Sequence, residues 1–154
     1  MDLTDGELYE KYGDELTRFA TFLAGPADAP DIVVEAVLGA FAVANWPAVR
    51  DRRAYLFRAV LNRARMHARS EGRRRSYEQM SASTEIASDV PRPDPDVLDA
   101  VARLSERQRA VVYLTYWDDL TPSAIAALLD ISEGSVRRHL ARARRILRSR
   151  LDEH

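Results

Sequence analysis

The segment 28–46 constrains the fold of this chain more than any other stretch, because as a helix it is apolar on nearly every side. One face of this helix carries Val33, Ala36, Val37, Ala40 and Ala44. A second face carries Val34, Leu38 and Phe41. Two apolar faces on one helix require either complete burial or a packing partner on each side.

The rest of the chain predicts an all-α fold. Strand-type alternation of valine or isoleucine is almost absent, and the chain has only 6 glycines and 7 prolines. Helical spacing and start signals predict helices at about 4–25, 28–46, 52–75, 96–103, 105–117, 121–129 and 132–151. The segment 76–96 is rich in Ser, Asp and Pro and lacks a sustained apolar period, so we expect a flexible linker there. The linker separates three helices in residues 1–75 from four helices in residues 97–154.

The net charge of −1 hides a segmentation of sign along the chain. Residues 50–75 hold ten basic and two acidic side chains, and residues 137–154 hold seven and two. Residues 1–49 instead hold two basic and nine acidic side chains, and residues 76–100 hold one and six. Two strongly basic helices therefore stand in acidic surroundings.

Several classes of protein are disfavoured by composition. The chain has no cysteine, which removes disulfides, thiolate metal sites and cysteine nucleophiles. Its histidines, His67, His139 and His154, have no metal-site spacing, so we expect neither a metal nor a cofactor. The longest apolar run, residues 36–44, is far shorter than the roughly 20 residues of a membrane span. The first ten residues are acidic where a secretory signal would be basic, which favours a cytoplasmic protein.

The segment 121–143, "TPSAIAALLDISEGSVRRHLARA", is typical of a helix-turn-helix. Asp130 stands where the turn usually has glycine, and aspartate tolerates the left-handed conformation better than most residues. The last helix buries a stripe of Val136, Leu140, Ala143 and Leu147. Its outward face then carries Arg137, Arg138, Arg142, Arg145 and Arg148. In a major groove the first residues of this helix, Ser135, Arg137, Arg138 and His139, could reach base edges, and the later arginines could reach phosphates.

The helix predicted at 52–75 has a second basic face. It carries Arg58, Asn62, Arg65, Arg69 and Arg73, within about 80° on a helical wheel and away from the apolar side. Tyr55 and Met66 flank this face. A basic face beside an aromatic side chain and an amide suits nucleic acid with unstacked bases, although an ordinary solvated face has the same composition. Two basic faces joined by a linker suggest two contacts on one DNA, which linkage makes tighter.

Three segments together resemble the extracytoplasmic-function group of bacterial sigma factors, and the resemblance covers nearly the whole chain. "GPADAPDIVVEAVLGAF" is similar to that family's acidic D-A-x-D-I/L-V-Q-E helix. "RAYLFRAVLNRARMHARSEGRRR" resembles its a-W-L-x-x-I-a-x-N-x-x-x-D-x-x-R-R helix. "GSVRRHLARAR" matches the ending G-S/T-V-K/R-x-R/H-L-x-R-A-R, the most specific part of the pattern. The resemblance implies sigma region two in residues 1–75 and sigma region four in residues 97–154.

The resemblance also implies partners and site residues, and no catalytic residue. Core RNA polymerase would be bound through the clamp helices of its largest subunit and its beta flap, with Asp31, Val34, Glu35, Leu38 and Phe41 at the clamp helices. The melted minus-ten promoter element would be met by Asn45, Trp46, Arg50, Tyr55, Arg58, Asn62, Arg65, Arg69 and Arg73. The minus-35 element would be read by Ser132, Ser135, Arg137, Arg138, His139, Arg142 and Arg145. Members of the group are commonly held inactive by an anti-sigma factor, so we expect one as a further partner, and neither a membrane nor a small-molecule substrate.

The chain departs from the family pattern at four positions. Val34 replaces a usual glutamine, Tyr55 a usual tryptophan and Ala124 a usual glutamate. His67 or a neighbour stands where the family often has aspartate. The change at residue 34 removes the polar part of the expected polymerase contact and keeps its apolar stripe.

Two rival functions are open from the sequence. "ISEGSVRRHL" also resembles the recognition helix of LuxR-type regulators, but those proteins usually add a short dimerisation helix, whereas "ARARRILRSRL" continues the same basic helix. An enzyme could use Asp118, Asp119 and His139 as a metal or acid–base cluster. Adjacent carboxylates before a helix belong more often to a solvated loop.

Overall fold

The computed structural model describes residues 3–71 and 95–152, and these residues form an all-α fold as predicted. Before residue 72 the helices are α1 (Asp5–Ala24), α2 (Ala29–Phe41) and α3 (Arg52–Glu71), with a short 3-10 turn at Trp46–Ala48. After residue 94 they are α4 (Pro95–Ala102), α5 (Glu106–Tyr116), α6 (Pro122–Leu129) and α7 (Glu133–Asp152). Most of the predicted linker, 76–94, lies outside the described residues, as does Arg73.

Side-chain caps fix several helix starts at the predicted positions. The Ser105 hydroxyl accepts from the Gln108 amide at 3.1 Å, and the Gln108 side chain accepts from the Ser105 amide at 2.9 Å. The Thr4 and Thr121 hydroxyls accept from amides three residues ahead, at 3.2 and 3.1 Å. Each cap satisfies amides that a helix start leaves without an intrahelical partner, so local sequence is sufficient to place these ends.

The apolar helix α2 is not wholly buried. Ile32, Val33 and Val37 are at most 3% exposed and face α1 and α3, against which α2 packs. The second face remains open, with Val34 44% and Leu38 62% exposed. Within the described residues this second face therefore has no helix of the chain covering it.

Helix α2 ends at Phe41, earlier than the predicted end near residue 46. Residues 42–45 form turns instead of helix, and the 3-10 segment that follows them contains Pro47. The Trp46 ring enters the core between the rings of Phe41 and Tyr55, at centroid distances of 5.4 and 5.6 Å, and its indole N–H donates to Asp5 at 3.1 Å. The free energy gained by burying this ring offsets the hydrogen bonds lost with the last turn of the predicted helix.

One hydrophobic core runs through both groups of helices. Helix α1 packs against α5, and α3 packs against α5 and α6. The ring of Tyr113 on α5 lies 5.3 Å from that of Phe19 and 5.6 Å from that of Phe22, both on α1. The two predicted groups of helices thus share their core in this arrangement. Their independence as domains stays a prediction.

Candidate nucleic-acid and polymerase interfaces

The helix-turn-helix consists of α6, the turn at 130–132 and α7. Asp130 adopts the left-handed conformation, with φ 57° and ψ 48°, and ends α6 as predicted. The Ser132 hydroxyl accepts from the Ser135 amide at 3.0 Å and thereby caps the start of α7. Ser132 therefore has a structural role at the turn whether or not it also contacts DNA.

The predicted division of α7 into a buried and a basic face is present. Val136 and Ala143 are fully buried, and Leu140 is nearly so. The exposed face carries Arg137, Arg138, Arg142, Arg145 and Arg148. Arg137 pairs with Glu133 of its own helix at 2.7 Å, so part of its charge is already compensated. The remaining arginines give this face the positive charge that attracts a phosphate backbone.

His139 differs from its arginine neighbours because it is half-buried. Burial lowers the pKa of His139, and Arg107, Arg142 and Arg138 lower it further. The ring is therefore neutral at pH 7, since its ordinary pKa is already about 6.5. In the predicted minus-35 surface it would act by hydrogen bonding rather than by charge.

Part of the predicted minus-ten face of α3 lies beside the helix-turn-helix. Asn62 is exposed, Arg58 and Arg65 are half-buried, and the side chain of Arg69 lies outside the description. The Arg58 guanidinium donates to the carbonyl oxygen of Leu128 on α6 at 3.0 Å. A small cavity beside this contact is lined by Arg58, Leu61, Asn62, Arg107, Leu129 and Ile131. Arg58 and Asn62 of the predicted DNA face thus lie beside α6 and the turn that follows it.

The loop between α2 and α3 presents only part of its predicted set. Asn45 and Arg50 are exposed, Tyr55 is half-buried and Trp46 is 3% exposed. The Arg52 guanidinium lies 5.3 Å from the centre of the Trp46 ring and screens it further from solvent. A direct base contact by Trp46 therefore requires this loop to move. Sequence spacing cannot distinguish an aromatic ring that shapes a loop from one that is offered to a ligand.

The predicted polymerase surface is the exposed face of α2, which we name the α2 patch: Asp31, Val34, Glu35 and Leu38. Phe41, the fifth predicted contact, is half-buried against Trp46. The Glu35 carboxylate lies 3.7 Å from Arg63 of α3. Exposed leucine and valine rimmed by two carboxylates are typical of a protein-binding surface.

Two arginines that sequence reasoning missed connect the groups of helices. Arg109 on α5 is fully buried and donates to the carbonyl oxygens of Leu104 and of Leu23, the latter at the end of α1. Arg53 on α3 pairs with Glu15 and lies 3.9 Å from Asp118 in the loop after α5. The sequence does contain a signal for Arg109, which begins the otherwise apolar stretch "RAVVYL" of α5. An arginine beside such a stretch can be buried, and a buried charge needs bonding partners.

The metal form of the rival cluster is absent from the described residues. In residues 3–71 and 95–152 no three His, Asp or Glu side chains converge as metal ligands, so Asp118, Asp119 and His139 do not make such a group. Asp118 instead faces Arg53. The same ranges contain no helix with the length and apolarity needed to cross a bilayer.

Comparisons with known proteins cover both groups of helices. A family model described as Sigma-70 region 2 matches residues 8–74, and one described as Sigma-70, region 4 matches residues 96–147. The ECF RNA polymerase sigma factor SigL of Mycobacterium tuberculosis H37Rv is 32% identical over 162 residues, which cover 95% of this chain and 88% of that protein. The RNA polymerase sigma-E factor of Streptomyces coelicolor is 31% identical, with 90% of this chain and 80% of that protein covered.

Two solved structures share the fold. The sigma factor RpoE in complex with the anti-sigma factor NepR from Bartonella quintana aligns with a TM-score of 0.64 and 21% identity, covering 96% of both chains. CnrH in complex with the cytosolic domain of CnrY aligns with a TM-score of 0.67 and 24% identity, covering 97% of this chain and 88% of CnrH.

Proposed function

The chain belongs to the extracytoplasmic-function group of RNA polymerase sigma factors, and we propose how its surfaces divide the work of promoter recognition. Membership makes core RNA polymerase and promoter DNA its partners. The match of residues 8–74 to sigma region 2 disfavours a LuxR-type regulator, because a helix-turn-helix regulator does not need these helices. We further propose that the chain works in the cytoplasm and has no chemistry of its own.

The basic face of α7 reads the minus-35 element as duplex DNA. Arg138 and Arg142 are exposed on this face, and the turn of the helix-turn-helix holds the start of α7 outward. A bidentate arginine–guanine contact contributes about 1–3 kcal/mol of discrimination. Ser135 and the neutral His139 add hydrogen bonds, and Arg145 lies farther along the helix, where it reaches phosphates.

The basic face of α3 binds the minus-ten element after local melting. Asn62 has an exposed amide, and Arg58 and Arg65 flank it with positive charge. An amide can pair with the edge of an unstacked base, while the arginines follow the strand backbone. Asn45 and Arg50, both exposed, extend this face into the preceding loop, and the helical spacing of the sequence supports the same role for Arg69.

The α2 patch docks on the clamp helices of the polymerase. The observation that carries this assignment is the pair Leu38 and Val34, 62% and 44% exposed on one face of α2, because neighbouring exposed apolar side chains form the kind of patch that binds a partner. Asp31 and Glu35 at the rim complement a basic partner surface. Val34 replaces polar bonding with apolar contact, so this interface depends more on burial than on hydrogen bonds.

An anti-sigma factor is a further partner. Both structural neighbours are named as complexes, one of them with a protein called an anti-sigma factor. We propose that such a protein holds this chain inactive by covering the α2 patch.

Reconstituted transcription tests the division of surfaces. Replacing Arg138 and Arg142 with alanine should abolish promoter-dependent transcripts, since base and phosphate contacts are lost together, while binding to core polymerase is unchanged. The matched control, Lys11→Ala with Arg103→Ala, removes two exposed charges elsewhere and should leave transcription intact. Unchanged transcription by the Arg138 and Arg142 variant would contradict the minus-35 assignment.

The polymerase assignment is tested by Leu38→Asp. A charge in the centre of the α2 patch should weaken association with core polymerase at least tenfold, because the buried carboxylate would lack a partner. Binding is measured by titration of labelled protein against core enzyme. Tyr9→Asp, at an exposed position on α1, is the matched control. Equal affinities of the two variants would exclude the α2 patch as the docking surface.

A further inference from the structure

Helix α2 contains an exposed glycine, Gly39, in its last turn. Glycine within a helix costs stability relative to alanine, because it loses more backbone freedom on folding. The same helix has alanine at the nearby positions Ala36 and Ala40, so its composition otherwise favours the better helix former. The presence of glycine at residue 39 therefore calls for a physical reason.

The described part of the chain supplies no steric reason for this glycine. A Cβ atom built at Gly39 would have one neighbour from another helix within 4 Å, a guanidinium nitrogen of Arg63 at 4.0 Å. That distance is an ordinary van der Waals contact with the flexible end of a side chain. The backbone supplies no reason either, since Gly25 is the glycine with a positive φ among the described residues. Within residues 3–71 and 95–152, a methyl group at residue 39 would thus be tolerated.

Gly39 lies at the edge of the α2 patch. Leu38 of the patch precedes it, and Glu35 lies one turn earlier on the same side of the helix. Arg63 of α3 borders the other side, with its guanidinium 3.7 Å from the Glu35 carboxylate. The backbone of Gly39 is therefore open to solvent between a leucine and an ion pair. We name this recess, bordered by Glu35, Leu38 and Arg63, the Gly39 notch.

We propose that the Gly39 notch receives a large apolar side chain from the helix of core polymerase that docks on the α2 patch. This inference rests on the proposed function, which makes the polymerase the occupant of the patch. Packed helices approach as closely as the side chains at their contact allow, so glycine permits the shortest distance between the two axes. Such an approach also covers Leu38 and Val34, which are exposed in the free chain. The carboxylates of Asp31 and Glu35 favour a helix that carries basic residues beside the apolar one.

A notch and a flat apolar patch predict opposite effects of a larger side chain at residue 39. On a flat patch, a larger apolar side chain would add buried area and tighten the binding of polymerase. In the Gly39 notch, the same side chain would fill the space of the partner's side chain and push the two helices apart. The sign of the change in affinity therefore distinguishes the two kinds of surface.

Substitutions at Gly39 in the full chain, titrated against core polymerase, test the notch. Gly39→Ala should weaken association about tenfold, and Gly39→Leu should weaken it by about a hundredfold or more, because the loss grows with the volume added. Alanine and leucine are strong helix formers, so both variants should raise the Tm of the free chain by about 1–3 °C. The matched control is Gly6→Ala, at an exposed glycine in the first turn of α1 whose Cβ position has no neighbour within 4 Å. It should leave the affinity unchanged.

Three results would overturn the inference. Affinities of Gly39→Ala and Gly6→Ala that equal that of wild type would exclude a close approach at residue 39. Tighter binding by Gly39→Leu would show that the surface is a flat apolar patch. A lower Tm for Gly39→Ala would show that glycine serves the packing of the chain itself.

The variant Leu38→Asp separates this inference from the proposed function. Weaker binding by Leu38→Asp together with unchanged binding by Gly39→Ala would leave the docking surface standing and exclude the notch. Unchanged binding by Leu38→Asp would exclude the docking surface and the notch with it.

Discussion

Charged side chains that are buried or half-buried bond the two groups of helices to each other. Arg109 satisfies carbonyls of α1 and of the loop before α5, and Arg53 lies between Glu15 and Asp118. Burial raises the pKa of Asp118 and the charge of Glu15 raises it further, against an opposing effect of Arg53. Ionisation of Asp118 is therefore less favourable in the folded protein than in the unfolded chain.

The variant Asp118→Asn tests this charge. An acid whose pKa is raised on folding binds its proton more tightly in the folded state, so its contribution to stability is present at low pH and is lost as the pH rises through the folded-state pKa. We therefore expect the variant to have the higher Tm at pH 7 and this difference to vanish below about pH 4, the ordinary range of an aspartate. Thermal melts between pH 3 and pH 8 measure both. A wild type that gains on the variant with rising pH would show that the ion pair with Arg53 dominates.

Local signals predicted most elements, and tertiary packing decided the rest. The caps at Ser105 and Thr121 and the apolar stripe of α7 each depend on a short stretch of sequence. The helices form where these stretches predict them. The early end of α2 and the burial of Trp46 depend on aromatic neighbours from other segments, which periodicity does not show. The same limit applies to the candidate site. The arginine faces were visible in the sequence, but the carbonyl that holds Arg58 was not.

Asp130 allows a direct test of an element boundary. A β-branched residue in the left-handed conformation is strained, so Asp130→Val should lower the free energy of unfolding by about 1–2 kcal/mol. Asp130→Gly should stay within about 1 kcal/mol of wild type, because glycine relieves the strain but adds entropy to the unfolded chain. Urea titrations provide the values. Equal losses for valine and glycine would mean that the Asp130 side chain, rather than the backbone, stabilises the turn.

At the scale of the whole molecule, the continuous core couples helices that lie far apart in sequence. Phe19 is fully buried, 4.9 Å from the ring of Phe57 and 5.3 Å from that of Tyr113. It thus contacts both groups of helices at once. A substitution that destabilises α1 should therefore also destabilise α5.

Phe19→Ala should lower the free energy of unfolding by about 3–5 kcal/mol and shift both groups of helices together. The chain contains two tryptophans, Trp46 before the predicted linker and Trp117 after it, and Trp117 stacks on Tyr113 at 6.1 Å. Variants that keep one tryptophan each, made with Trp46→Phe and Trp117→Phe, report the two groups separately by fluorescence. A Trp117 transition that ignores Phe19→Ala would show that the groups unfold independently.

Leu38 is exposed in the same arrangement in which Arg58 donates to the Leu128 carbonyl, and this has a kinetic consequence. If the α2 patch docks on core polymerase as proposed, that encounter requires no separation of the two groups of helices, so recruitment should depend on the total concentration of the protein.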